Sequence, residues 1–292
     1  MQTQVPFQHL ALLGVGYIGG SAALAARRAG LVGEVTGYDP SPTATQAAIR
    51  LGIINAAAAS PQEAVAGAAL VLLAAPVRSM EALLRAMAPA LSPDATVIDV
   101  GSVKAGIVAA AESALPAGRF VGCHPMAGAE FSGVEAADAH IFAGRVCFVC
   151  PSRDAHASAL AAAHAFWRGV GCQTATIDPG IHDRLMAAQS HLPHVAAFAL
   201  AGALGPSMPF LDATTTAASP TTSLRDTTRI AASGPGVWRD ILLANATHVL
   251  PLIQELEMRV SEIKSAVATG DGEALERILT AAQSCRKRLV KE

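Results

Sequence analysis

The chain has 292 residues, of which 52% are hydrophobic, so it is long enough for one large globular domain or two ordinary ones. Its 23 acidic and 21 basic residues give a formal charge of −2, which argues against nucleic acid or an anionic membrane surface as a partner. No apolar run reaches the roughly 20 residues that cross a bilayer, and no basic leader is visible, so we expect a cytoplasmic protein. The five cysteines lack paired CxxC spacing, and we expect most of them to be buried.

The first part of the chain alternates short apolar runs with alanine- and leucine-rich stretches of helical period. The runs are LALLGV, EVTGYD, ALVLLAAP, ATVIDVG, RFVGCHP, RVCFVCP and CQTATID. Continuous apolar strands that are separated by helices indicate a parallel sheet covered on both faces. We therefore predict an α/β domain with a parallel-rich sheet over residues 1–178.

The second part has no further strand run after Asp178-Pro179-Gly180. Three helical stretches follow: HDRLMAAQSHLPHVAAFALAGAL, VWRDILLANATHVLPLIQELEMRVSEIKSAV and GEALERILTAAQSCRKRL. Between the first two lies a polar segment, ATTTAASPTTSLRDTTR, which is too long for an idle connection and whose basic end invites a functional interpretation. Residues 179–292 are thus predicted to form an all-α domain.

A glycine-rich turn, Gly14-Val15-Gly16-Tyr17-Ile18-Gly19, joins the first strand to the first helix. Such glycines permit a tight turn and the close approach of a pyrophosphate to the helix N-terminus. Asp39, at the end of the next strand, can accept hydrogen bonds from ribose hydroxyls and repel a 2′-phosphate, which favours NAD over NADP. Taken alone, GxGxxG can also be a turn without a ligand, and Asp39 an ordinary turn acid. The context favours a Rossmann-type domain whose cofactor residues are Gly14, Gly16, Tyr17, Ile18, Gly19, Asp39, Ala75 and Pro76.

Two later strand ends carry polar side chains toward the same edge of the sheet. Ser102 follows the ATVIDVG strand, and His124 ends the RFVGCHP strand. Ser102 could simply cap a helix, and His124 could be a satisfied buried imidazole. Together, facing a nicotinamide, a hydroxyl and an imidazole base are what alcohol oxidation requires. We predict no metal site, because Pro193 separates His191 from His194 and the acidic partners of a zinc site are missing.

Five motifs, in their order, resemble the prephenate/arogenate (cyclohexadienyl) dehydrogenase family. They are GVGYIGGS, DVGSVK, HPMAGAEFSGVE, SHLPH and RDTTRIA followed by a tryptophan. The resemblance extends from about His9 to the last helices, and HPMAGxExSG with SHLPH is far more specific than GxGxxG. The resemblance implies a Rossmann domain joined to a helical dimerisation domain, and therefore a homodimer. It also implies that the substrate is a small molecule.

The resemblance also implies roles for individual residues. His124 would bond the ring hydroxyl of the substrate with Ser102 as a second partner, and Arg229 would grip a carboxylate. The remaining substrate-site residues that it implies are His182, His191, His194, Glu130, Arg225 and Asp226. One departure is Gly234, which stands before Pro235 where the family often has an acid.

The implied reaction is NAD-dependent oxidative decarboxylation of prephenate to 4-hydroxyphenylpyruvate, or of arogenate to tyrosine, in tyrosine biosynthesis. The sequence does not decide between the two substrates. Two alternatives stay open at this point. A β-hydroxyacid dehydrogenase or imine reductase shares the two-part architecture but lacks these motifs, and an NAD-sensing regulator has no use for Ser102, His124 and Arg229 together.

Overall fold

The computed structural model describes residues 5–128, 131–207 and 221–290. Within these residues an α/β part is followed by helices, so the predicted fold class is confirmed. The strands are β1 Phe7–Leu13, β2 Val32–Tyr38, β3 Ala56–Ala57, β4 Leu70–Leu73, β5 Thr96–Asp99, β6 Phe120–Pro125, β7 Val146–Pro151 and β8 Gln173–Thr176. The helices are α1 Tyr17–Arg28, α2 Pro42–Arg50, α3 Pro61–Val65, α4 Val77–Met87, α5 Ala105–Ala114, α6 Ala157–Gly169, α7 Pro179–Met186, α8 Leu192–Ser207, α9 Thr222–Thr228, α10 Pro235–Ala244, α11 Ala246–Thr269 and α12 Gly272–Leu289.

The eight strands form one sheet in the order β3-β2-β1-β4-β5-β6-β7-β8. Every neighbouring pair is parallel except β6 and β7, which run antiparallel. The carboxyl ends of β1, β2, β4, β5 and β6 therefore meet at one edge. In open α/β sheets, ligands bind beyond this edge.

Both faces of the sheet are covered, which explains the continuous apolar character of its strands. Successive side chains of a strand point to opposite faces, so Leu10 and Leu12 of β1 join one buried cluster while Ala11 and Leu13 join the other. Each of these leucines is fully buried, a gain of about 1.5–3 kcal/mol per side chain. The α/β alternation of the sequence thus produces a rigid sheet whose edge can carry chemistry.

The structure differs from the predicted elements in three places. The two-residue strand β3 has no sequence signal of its own. A π-helical turn, Ala187–His191, interrupts the first predicted helix just before Pro193, whose ring nitrogen has no N–H to donate. The long helix that was predicted from Val237 onward ends at Ala244 and resumes at Ala246, because Asn245 adopts a non-helical conformation and its side chain bonds elsewhere.

The chain divides after Asn245 into two compact units. The second contains α11 and α12, which pack against each other. All five cysteines are free, and Cys123, Cys147, Cys150 and Cys172 are buried as expected, while Cys285 is exposed. None of the helices within the described ranges is long and apolar enough to span a membrane.

Candidate active site

A cavity of about 1040 Å³ lies at the carboxyl edge of the sheet. Its walls come from the ends of β1, β2, β4, β5 and β6 and from α10 and the turn before it. Eleven of the predicted site residues line it: Gly14, Gly16, Tyr17, Ile18, Asp39, Ala75, Pro76, Ser102, His124, His194 and Arg229. Residues that are far apart in the sequence therefore share one solvent-accessible space.

The glycine-rich turn closes one end of this cavity. Gly14 has a φ of 98°, and a Cβ atom there would lie 2.5 Å from the carbonyl oxygen of Ala74. A Cβ atom at Gly19 would meet that of Ala74 at 2.6 Å, so Gly19 lets α1 pack closely although it does not line the cavity. Gly16, by contrast, has open space around its missing Cβ and caps α1 without a side-chain hydrogen bond. A helix start without a side-chain cap is the kind of site at which a dinucleotide pyrophosphate binds.

Asp39 ties the end of β2 to the glycine-rich turn. Its Oδ2 accepts the backbone N–H of Val15 at 2.9 Å, and its Oδ1 accepts that of Ser41 at 2.9 Å. The second bond is the ordinary turn contact, whereas the first reaches across to the glycine-rich turn that follows β1. Because an ionised carboxylate has about four lone-pair sites, Asp39 keeps acceptor capacity for ribose hydroxyls.

His124 lies on β6 beside the middle of the cavity, and its Nδ1 is 2.9 Å from Nε2 of His182. Burial is the largest cause that lowers the pKa of His124 well below its ordinary value, and the positive charge of Lys104 acts in the same direction. The ring is therefore neutral at pH 7 and can act as a base. Ser102 also faces this region, and it does not cap α5, because Asp183 accepts the first N–H groups of that helix instead.

A buried ion pair, which sequence reasoning did not single out, supports these two strand ends. The Lys104 ammonium contacts Asp99 Oδ2, and both side chains are fully buried. Asp99 also accepts the N–H groups of Gly101 at 2.8 Å and Cys123 at 2.7 Å, while Lys104 donates to the Cys123 carbonyl at 2.9 Å. The pair thus fixes the backbone next to Ser102 and His124. Its only sequence signal was a charged residue at the end of an apolar strand and another five positions later.

The other end of the cavity carries positive charge. Arg229 begins a 3₁₀ turn, Arg229–Ala232, and its side chain is exposed. His194 is half-buried, stacks on Trp238 with ring centroids 3.5 Å apart, and bonds the Ser190 carbonyl through Nδ1 at 2.8 Å. Burial lowers the pKa of His194, and the charge of Arg229 acts in the same direction. The permanent positive charge of Arg229, next to the His194 imidazole, is suited to binding a carboxylate.

Comparison with known families decides what this site belongs to. The family model "Prephenate dehydrogenase, nucleotide-binding domain" matches residues 22–176, and "Prephenate dehydrogenase, dimerization domain" matches residues 178–281. The chain belongs to the prephenate dehydrogenase family. It is therefore an oxidoreductase of this family, and not a member of the β-hydroxyacid dehydrogenase or imine reductase families.

Individual relatives agree with this family. The chain is 35% identical to a cyclohexadienyl dehydrogenase from Zymomonas mobilis over 92% of both proteins. It is 33% identical to a prephenate dehydrogenase from Bacillus subtilis over 94% of this chain and 74% of that protein. The structure superposes with a TM-score of 0.87, at 33% identity and over 99% of this chain and all of the other, on a prephenate dehydrogenase from A. aeolicus in complex with hydroxyphenyl propionate and NAD⁺.

Four predicted substrate residues of the described chain do not line the cavity. His182 and His191 are buried behind it, and Arg225 and Asp226 are exposed on α9. Burial lowers the pKa of His191 to about 4, so this ring is neutral at pH 7. It lies 3.0 Å from the Asn245 amide nitrogen and packs edge-on against Trp238. Direct substrate contact is thus not the role that the fold suggests for His182 or His191. Glu130 lies outside the described residues.

Proposed function

We propose that the protein catalyses the NAD-dependent oxidative decarboxylation of prephenate, of arogenate or of both. The observation that carries this proposal is one cavity that joins a dinucleotide-type glycine turn and Asp39 to Ser102, His124 and Arg229. A protein that only senses the nucleotide would need only the end of the cavity that carries the glycine turn and Asp39. A dehydrogenase of a ring alcohol that also bears a carboxylate needs all three parts.

Each part has a chemical task in this reaction. The glycine-rich turn and Asp39 would hold NAD⁺, which would supply the acceptor for the hydride of the ring carbon that bears the hydroxyl group. His124 takes the hydroxyl proton as the hydride leaves, and Ser102 helps to orient the same hydroxyl. Loss of the ring carboxylate as CO₂ then produces an aromatic ring. Arg229 and His194 hold the side-chain carboxylate at the far end, which fixes the ring in register with the base.

The reaction can be followed by absorbance at 340 nm after NAD⁺ and prephenate are added to the protein. We expect NADH to appear, with a much slower rate when NADP⁺ replaces NAD⁺, because Asp39 repels the 2′-phosphate. Failure of the unaltered protein to form NADH with either prephenate or arogenate would overturn the proposal. Steady-state comparison of the two substrates then decides which one is preferred.

We further propose a cytoplasmic homodimer that assembles through the helical part, residues 179–292. Two apolar residues of α10, Trp238 and Ile241, are buried in a small core with Val103. Others on α11 are exposed, and Val260, Ile263 and Val267 lie on one helical face by their spacing. Light scattering at micromolar concentration should report a dimer mass, and a monomer mass would contradict this proposal.

A further inference from the structure

A hydrogen-bonded chain of three side chains leads from the partly buried His124 at the cavity to two buried groups, His182 and Asp183. His124 Nδ1 lies 2.9 Å from His182 Nε2, and His182 Nδ1 lies 2.8 Å from Asp183 Oδ1. His182 is fully buried, Asp183 is 2% exposed, and the ring of Phe148 packs edge-on against that of His182. Solvent therefore has little access to the bond between His182 and Asp183, so the two ring nitrogens of His182 depend on His124 and Asp183 for their partners.

The direction of each hydrogen bond follows from Asp183. Besides the contact with His182, its carboxylate accepts the N–H groups of Lys104 at 2.7 Å and Ala105 at 2.8 Å. Burial opposes its ionisation, but the hydrogen bonds from His182 and from these two backbone groups hold the pKa of Asp183 below its ordinary value. An ionised carboxylate only accepts hydrogen bonds, so the proton of a neutral His182 is on Nδ1. Its Nε2 then offers a lone pair, and His124 must donate from its own Nδ1.

We propose that His182 and Asp183 are positioning residues that hold the proton of neutral His124 on Nδ1, so that Nε2 faces the substrate as the base. The part of this inference that concerns catalysis rests on the proposed function. The substrate's hydroxyl proton passes to Nε2 of His124, while the Nδ1–H bond to His182 is kept throughout. His124 then becomes an imidazolium that is hydrogen-bonded to the Asp183 carboxylate through His182. The negative charge of this carboxylate stabilises the positive charge of the imidazolium.

The hydrogen-bond chain can form because His182 and Asp183 are adjacent residues of α7. The Asp183 carboxylate also accepts hydrogen bonds from the N–H groups at the start of α5. A substitution at Asp183 would therefore leave these N–H groups without their acceptor, and it would also remove a hydrogen-bond partner of His182. His182 makes no such contact with α5, so it is the residue to change.

The tautomer of His124 can be read without any catalysis. In long-range ¹H–¹⁵N spectra of the substrate-free protein at pH 7.5, with the signal assigned by its loss in His124→Asn, we expect Nδ1 to be protonated and Nε2 to be unprotonated. His182→Asn should abolish this preference and give a mixture of tautomers. A His124 ring protonated on Nε2 in the unaltered protein would overturn the proposal, even if His182→Asn did not fold.

Kinetics of a matched pair of variants separates positioning from packing. The amide of His182→Gln can place an oxygen where Nε2 of His182 now lies, whereas His182→Asn is one methylene shorter and cannot reach His124. We expect His182→Asn to lower kcat by about 10–100-fold with the KM for prephenate and the Kd for NAD⁺ unchanged, and His182→Gln to recover most of the loss. Equal kcat values in the two variants, at equal thermal stability, would overturn the proposal.

The two inferences fail in different ways. If the unaltered protein formed no NADH with prephenate or arogenate, the proposed function would be wrong, and the tautomer spectrum would still test the hydrogen-bond chain. If NADH formed but His124 were protonated on Nε2, the reaction would stand and the positioning role would be lost.

Discussion

The two ends of the substrate region are built in opposite ways. At the base end, His124 is backed by fully buried groups, His182 and the Asp99–Lys104 pair, whose polar atoms are bonded to named partners. At the carboxylate end, Arg229 is exposed and starts a short 3₁₀ turn. Proton transfer needs a fixed geometry and a neutral ring, which burial provides. Capture of a charged carboxylate needs a cation that the ligand can reach from water.

This contrast predicts that changes at the two ends affect different kinetic constants. An interaction that is made only as the proton moves lowers kcat when it is lost, whereas an interaction that holds the bound substrate raises KM. The nucleotide end should resemble the carboxylate end, because Asp39 also acts in binding rather than in chemistry.

The largest effect should follow from removal of the base. His124→Asn should lower kcat by about 10²–10⁴-fold with little change in KM, because general-base catalysis acts in the transition state. Steady-state rates at 340 nm provide the measurement. His164→Asn is a suitable control, since His164 on α6 bonds Thr174 and does not line the cavity. Near-full activity of His124→Asn would remove the distinction between the two ends.

A smaller effect is expected at the carboxylate end. Arg229→Ala should raise the KM for prephenate on the order of 10²-fold and change kcat little, because a guanidinium clamp binds ground state and transition state alike. Arg225→Ala is the matched control: it removes the same charge one helical turn earlier, at a residue that does not line the cavity. If Arg229→Ala lowered kcat as His124→Asn does, the assigned roles would be wrong.

The nucleotide end should show a comparable or smaller effect. Asp39→Ala should weaken NAD⁺ binding by about 1–3 kcal/mol, as expected when bound hydroxyls lose a charged acceptor. Titration of the protein with NAD⁺ and NADP⁺ measures both this loss and the relaxed rejection of NADP⁺. Asp39→Asn can keep its one amide oxygen for the Val15 N–H while it loses the charge and the acceptor for the Ser41 N–H, so it should accept NADP⁺ with the glycine turn less disturbed than in Asp39→Ala. Unchanged cofactor preference in both variants would contradict the role of Asp39.

The smallest expected effect concerns pH. A base must be unprotonated, so kcat/KM falls as the pH drops through the pKa of His124 in the free enzyme. Burial, followed by the positive charge of Lys104, lowers this pKa. Between pH 7.5 and 6.5, kcat/KM should therefore be nearly constant, whereas an imidazole with the ordinary pKa of about 6.5 would lose about half of its activity. A loss of that size, absent from the pH profile of NAD⁺ binding, would show that His124 is not shielded as the structure indicates.

The sequence by itself determined the sheet, the nucleotide turn and the family. Apolar runs of strand length and the glycines of GVGYIG depend on local rules of burial and backbone conformation, which act over a few residues. These features could be predicted correctly because no contact with a distant segment overrides these local preferences. Two features were missed. The break at Asn245 was missed because the apolar helical periodicity continues across it. The π-helical turn before Pro193 was missed because helical propensity does not distinguish a π-helix from an α-helix.

Only the tertiary structure decided which polar residues meet. His182 and His191 have the same residue type as His194 and lie on the same run of helices, yet two are buried and one lines the cavity. The Asp99–Lys104 pair and the bond between His124 and His182 join groups whose partners are chosen by the packing of α5 and α7 on the sheet. Hydrogen bonds act over about 3 Å, so a role that depends on them is fixed by where distant segments pack, which residue type and local spacing do not encode.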